Sequence, residues 1–252
     1  MSRCCLLTAL AGVALACTPM GRTDDAADAR AIVEKGIKAM GPEDVLAKHK
    51  AHAWKARGTI TMMGQTLPYT CDYQFQVPGR FRFVMDGEFG GQKMHMVAAA
   101  ENGKAWEQMN GVVQEMTKDK LKEFNHEVYV FWISMLTPLR DPAFKLSMIG
   151  ETRSIKGETH IGIKVSREGQ RDVSLFFDKN TGLLMRWLSR VVDEFSNKEV
   201  TQETILSDYK SRDGLMQFGK ITILRDDKTF IEEELHDYKG LDRLDEALFK
   251  KP

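Results

Sequence analysis

The chain has 252 residues with 36 basic and 36 acidic side chains, a balance without the cationic excess that binding to nucleic acid requires. Of its four cysteines, Cys4 and Cys5 stand at the extreme N-terminus, so no disulfide framework is expected for the body of the chain. Apolar residues make up 42% of the sequence, enough for the core of one large domain, and no Pro/Ser-rich linker divides it.

Arg3 followed by the mostly apolar run Cys4 to Ala16 has the layout of a secretory signal, and the run is too short for a permanent membrane span. Ala14-Leu15-Ala16 suits ordinary signal cleavage, whereas Cys17 directly after it resembles a lipoprotein processing site. That pattern usually has Leu where Ala14 stands, so both routes stay open and Cys17 is a candidate for lipidation. Residues 1–16 are expected as signal, 17–28 as a flexible tether and 29–252 as a single domain. Such a protein belongs in the periplasm or cell envelope, lipid-anchored if Cys17 is acylated.

The first element predicted is a helix, because Ala29, Ile32, Val33, Gly36, Ile37 and Met40 fall on one stripe. Gly41-Pro42 ends it and opens a short second helix through Val45, Leu46 and Lys48. From Trp54 the period changes to two, with Ala56, Gly58, Ile60 and Met62 on one face of a strand. Tyr69, Cys71, Tyr73, Phe75 and Val77 alternate with polar residues in the return strand, one face apolar and the other wet. Pro78-Gly79 turns the chain into Phe81, Phe83 and Met85. Met94, Met96 and Ala98 follow Gly90-Gly91, and two more turns, Asn102-Gly103 and Asn110-Gly111, flank Trp106 and Gln108.

An amphipathic helix follows, capped by Thr117 and carrying Leu121, Phe124, Val128, Phe131, Trp132 and Met135 until Pro138. Strands are then expected at 146–155, 160–167, 172–178, 183–193, 200–209, 220–226 and 229–238. The layout is α+β: an antiparallel sheet of about eleven strands in hairpin order, curled by accumulated twist into an incomplete barrel. Its concave side needs filling by the helices, by an apolar ligand, or by both.

No arrangement for catalysis stands out: there is no G-x-S-x-G elbow, H-E-x-x-H pair, phosphate loop or dinucleotide fingerprint. No cofactor is implied. His49 and His52 have a metal-compatible spacing but no third ligand, and read as solvated surface; His95, His126, His160 and His236 are isolated. Glu232-Glu233-Glu234 reads as a solvated run, and Cys71 as a small buried hydrophobe on a strand.

Tyr73 to Phe83, with its Val77-Pro78-Gly79-Arg80-Phe81-Arg82-Phe83 turn, and Glu101-Asn102-Gly103-Lys104-Ala105-Trp106 resemble, in that order, segments of the LolA/LolB-like outer-membrane lipoprotein-sorting superfamily. Asp178 to Leu183 is similar to that family's next hairpin, and Leu248-Phe249-Lys250-Lys251-Pro252 to its ending. The resemblance implies a non-enzymatic, monomeric carrier or receptor whose apolar cavity takes the acyl chains of lipids or lipoproteins. One long chain buried there is worth on the order of 10 kcal/mol at roughly 0.8 kcal/mol per methylene.

The expected cavity and lid residues are Ile60, Met62, Tyr73, Phe75, Phe83, Met94, Met96, Trp106, Phe131, Trp132 and Met135, the thioethers suiting a ligand of variable shape. An ordinary packed core remains the competing reading of the same residues. Val77 stands where the carriers have an Arg that holds the lid, so Arg80 or Arg82 would have to substitute. The alternative function is an envelope sensor or structural module that uses this fold to recognise a protein.

Overall fold

The computed structural model describes residues 22–76, 78–154, 157–194 and 196–251, so the signal region, Cys17 and Val77 lie outside the described residues. The helices α1 (Arg22–Met40) and α2 (Glu43–Lys48) come first. Six strands follow: β1 (Ala51–Met62), β2 (Gln65–Gln76), β3 (Arg80–Phe89), β4 (Gln92–Glu101), β5 (Lys104–Met109) and β6 (Val112–Glu115). Helix α3 (Lys118–Ser134) and a 3-10 turn at Thr137–Arg140 lead into β7 (Lys145–Arg153), β8 (Thr159–Ser166), β9 (Val173–Asp178), β10 (Leu184–Asp193) and β11 (Lys198–Ser207). A small hairpin of β12 (Lys210–Arg212) and β13 (Leu215–Gln217) precedes β14 (Lys220–Arg225) and β15 (Lys228–Leu241), and a 3-10 turn at Glu246–Phe249 closes the described chain.

One antiparallel sheet holds 13 strands in the order β6-β5-β4-β3-β2-β1-β15-β14-β11-β10-β9-β8-β7, with β12 and β13 paired apart from it. The count exceeds the expected eleven or so in part because β6 is too short for alternation to mark it, as are β12 and β13 outside the large sheet. The order also departs from simple hairpin succession at two places, β14 beside β11 across the β12–β13 hairpin and, over a far longer span, the centre of the sheet. The first and last strands of the chain pair in the middle of the sheet, β1 beside β15, which no local pattern reveals. The sheet is strongly curved and does not close: β6 and β7 are its two edges, and α3 is the connection between them.

Turn chemistry sets the hairpins. Asn102 and Gly103 at φ 51° and 82°, and Asn110 and Gly111 at φ 48° and 88°, supply the paired left-handed residues that a two-residue turn between twisted strands needs. Thr117 accepts a hydrogen bond from Lys120 N at 3.3 Å and caps α3 as expected. The helix stops at Ser134, and Leu136 takes a φ of 64° ahead of Pro138.

Helix α1 starts at Arg22, so part of the segment expected as tether is helical. Its buried stripe of Ala29, Val33 and Ile37 joins α3 and the strands of the second half, through Ile163, Val165, Leu175 and Phe177, in one core. At Gly36 the approach is so close that an added Cβ would lie 2.8 Å from Leu136 Cδ1 and 2.9 Å from a Phe177 ring carbon.

Candidate functional site

Register arranges the helix-facing side of the first half of the sheet in rows across the strands. One row runs Phe75, Phe81, Ala100, and the next Trp54, Tyr73, Phe83, Ala98. Toward the β1–β2 turn come Ala56, Cys71, Met85, Met96, then Gly58, Tyr69, Gly87, Met94. The last row holds Ile60 and Leu67 and continues through Ile231 on β15 to Ile223 on β14.

Helix α3 covers only the first two rows. Phe131 stacks on Phe81, ring centroids 5.6 Å apart at 21°, and also meets Trp54 and Phe75 at 6.4 Å and Trp187 at 6.1 Å. Phe124 meets Phe81 at 5.8 Å and Phe83 at 6.2 Å. Beyond them Ile60, Tyr69 and Cys71 pack with Met62, Leu67, Met85 and Ile231 in a cluster to which no helix contributes among the described residues. The centre of this cluster is buried, and its margin of Met62, Leu67 and Met85 is partly exposed and carries flexible thioethers.

Of the residues expected at a cavity, Ile60, Met62, Tyr73, Phe83, Met94 and Met96 share this face, while Phe75 lies fully buried beneath α3. Trp106 does not join them. The Asn102-Gly103 turn pairs it with Ala99, not with Ala98 or Ala100, and that one-residue difference in parity puts it on the opposite face. There it packs with Val97, Ala99, Val84 and Val113 and donates from Nε1 to the Phe249 carbonyl at 3.0 Å.

Phe131 and Trp132 also part company, because adjacent helical residues point about 100° apart. Trp132 packs edge-on against Phe144 at 5.6 Å under the Arg167 guanidinium, away from the thioether margin, and Met135 packs against the main core. The lid pair is therefore one residue on the aromatic rows and one wedged in the second half. Arg80 and Arg82 do not hold α3, since their parity is opposite to that of Phe81 and Phe83. Arg80 pairs with Glu101 at 2.9 Å and Glu246 at 3.2 Å, and Arg82 donates to Gln74 at 2.9 Å.

Helix α3 is held from both sides of the sheet. Lys120 pairs with the buried Glu107 of β5 at 2.5 Å. Glu123 accepts two bonds from Arg171, at 2.5 and 2.7 Å, and one from Val192 N at 2.9 Å. Burial would raise the Glu123 pKa, but these donors keep it below the usual carboxylate value.

The acidic run does not behave as a solvated unit. Glu232 and Glu234 are exposed, but Glu233 is only 5% exposed and shares the apolar face, opposite Gly58. Its Oε1 accepts from Tyr69 Oη at 2.5 Å and Tyr73 Oη at 2.7 Å, and Cys71, a free buried thiol, lies between those tyrosines in sequence. Burial raises the Glu233 pKa against the lowering effect of both hydroxyls, and it pushes the Cys71 thiol up as well. The signal was in the sequence: strand alternation sets Glu233 in phase with Ile231 and Leu235. His52, read as surface, is buried too; its Nδ1 bonds Tyr238 Oη, and burial depresses its pKa to about 4.

A wider trough of about 1050 Å³ crosses the same strands along the row of Gly58, Tyr69, Gly87 and Met94, with Ile221 and Glu233 also in its lining. Its walls include Arg57, Thr59, Asp86, His95, Lys220 and Glu234, whereas Ile60, Cys71 and Met96 take no part. Arg57 and Lys220 pair with Glu234 at 3.0 and 3.1 Å, and His95 Nδ1 is hydrogen-bonded to Asp86 at 2.7 Å. Among the described residues no group of His, Cys, Asp and Glu forms a metal site, and no helix is long and apolar enough to cross a membrane.

No protein-family model and no curated protein matches the sequence. The structure is similar to that of a LolA superfamily protein from Nitrosomonas europaea, with a TM-score of 0.58 and 12% identity over 88% of this chain and 97% of that one. A DUF1329 family protein from Desulfovibrio piger matches with a TM-score of 0.55 and 13% identity, again over 88% and 97% of the two chains. At these identities the likeness speaks for architecture. The open, strongly curved sheet with α3 laid across its face is the LolA-like fold.

Proposed function

We propose that this protein is a non-enzymatic lipid- or lipoprotein-binding protein of the cell envelope that holds acyl chains along the apolar margin beside α3. The observation that supports this most is the abrupt end of helix cover on a face that stays apolar: Met62, Leu67, Met85, Met94 and Met96 are neither fully buried nor polar. An unbranched chain laid along Ile60, Met85 and Met96 removes both surfaces from water, and thioethers adjust to its path. The envelope location rests on the signal-like residues 1–16 together with the LolA-like fold.

Native mass spectrometry after gentle purification, followed by lipid extraction, tests the reading. Bound lipid or stoichiometric uptake of a fluorescent acyl probe is expected, and a protein that stays lipid-free and ignores the probe overturns it. Met96→Lys, which sets a charge among the thioethers, should weaken probe binding by about tenfold or more while leaving the fold intact.

The charged residues Arg57, Lys220 and Glu234 along the wider trough favour a second reading, recognition of a polar protein segment by the same molecule. Crosslinking from Thr59 in cells should then trap one protein reproducibly. Adducts with lipid alone would reject it.

A further inference from the structure

From the geometry of Glu233 we infer that the trough recognises a protonated amine carried by its apolar ligand. The proposal rests on the acyl-binding reading above and adds the chemistry of the ligand's head.

Glu233 is set into an apolar face, 5% exposed, between Ile221 and Gly58 in the cross-strand row. Gly58 carries no side chain, so the Tyr69 hydroxyl reaches across β1 to Oε1, and Tyr73 reaches the same oxygen from two rows away, past Cys71. Only that oxygen is engaged. Among the described residues no donor reaches Oε2, and no Lys, Arg or His pairs with the carboxyl.

Two short O–H···O bonds to one oxygen are the geometry of an acceptor, and because burial raises the pKa of Glu233, a cation brought beside it would draw out the charged form that burial alone disfavours. A stability role alone is served better by an apolar residue in phase with Ile231 and Leu235. The missing partner is a compact cation with N–H donors for Oε2, delivered by a molecule whose remainder is apolar enough to lie along Leu67, Met85 and Met94. An alkyl ammonium meets both conditions, whereas a carboxylate headgroup gains nothing from a second carboxyl and a neutral alcohol adds no charge pairing.

Dodecylamine, dodecan-1-ol and dodecanoate, each below its micellar concentration, separate these cases. Titration of the full chain can be read from the fluorescence of Trp54, which stacks on Tyr73 at 5.1 Å. The amine is expected to bind about tenfold tighter than the alcohol at neutral pH, the value of a charge-assisted hydrogen bond in a partly buried site. Glu233→Gln, which still accepts from both tyrosines, should remove that preference and leave alcohol binding unchanged. Should Glu233→Gln fail to fold, Glu233→Asp withdraws the carboxyl by one methylene and should lower the amine-to-alcohol ratio.

Equal affinity for amine and alcohol, or a preference that survives Glu233→Gln or is undiminished in Glu233→Asp, overturns the anchor and leaves the acyl trough standing. Failure of all three probes to bind removes the acyl-binding reading, and the anchor with it.

Discussion

Gly58 shows how one residue fixes both the sheet and the site. A Cβ built there would lie 2.0 Å from the Glu232 carbonyl oxygen, so any side chain forces β1 and β15 apart. Gly58→Ala should cost about 3 kcal/mol, the upper end of overpacking penalties, and chemical denaturation measures it. A variant within 0.5 kcal/mol of wild type, about the scatter of surface substitutions, would mean that the strands separate freely. His52 and His126 act through protons. Burial depresses both to about 4, and for His126 Arg171 adds to the effect. Each binds more protons unfolded than folded between its ordinary value of 6.5 and about 4, so their contribution is complete above 6.5 and is lost as pH falls through that window. The acid-side decline in stability should be shallower in His52→Gln than in wild type, and an identical pH profile would show that His52 is protonated in the fold.

Among the elements, α3 is the one whose position decides how much of the apolar face is free. Its anchors, Lys120 to Glu107 and Glu123 to Arg171, sit at opposite sides of the sheet. Glu123→Ala leaves Arg171 and Val192 N without their acceptor and should speed amide exchange along α3 while increasing acyl-probe uptake. Faster exchange with unchanged uptake would show that the helix does not limit access. Glu127, also on α3, is pushed up to about 7 mainly by burial, with Arg225 opposing and Glu194 and Glu123 reinforcing. Its protonated form is favoured in the fold, so stability is lost as pH rises from the ordinary value of 4.5 through about 7. Glu127→Gln should therefore become more stable relative to wild type between pH 5 and pH 8, as thermal melts at the two values will show.

At this scale the sequence was most readable where one physical rule acted alone. Alternation from Trp54 to Met62 and from Tyr69 to Phe75, with Asn-Gly turns between later strands, marked the long hairpins. Thr117 and Pro138 bracketed α3. Reading failed where two rules met. Trp106 required the turn register as well as hydrophobicity, and Glu233 looked soluble because composition was weighed before strand phase. β6 and the β12–β13 hairpin were too short to show a period. The pairing of Glu107 with Lys120 depends on where α3 crosses, which no spacing along the chain encodes.

For the whole molecule, the consequential feature is the seam between β1 and β15. Every other neighbouring pair in the large sheet joins strands close together in the chain, but Ala51 pairs with Leu241 and Ile60 with Ile231. Until the last strand is made, two separate half-sheets carry exposed edges at the place where the finished sheet has its centre. Closing so long a loop early is entropically unfavourable, so the halves should form first and dock late. In refolding experiments, amides of β1 and β15 should gain protection after those of β8 to β10, and simultaneous protection would argue for a single nucleus. A chain stopped before Lys228 would present the inner edges of β1 and β14 together, an open template for intermolecular pairing. Under the envelope location proposed above, a chain threaded across a membrane from its N-terminus would depend on holding factors until β15 emerges, however stable it becomes afterwards.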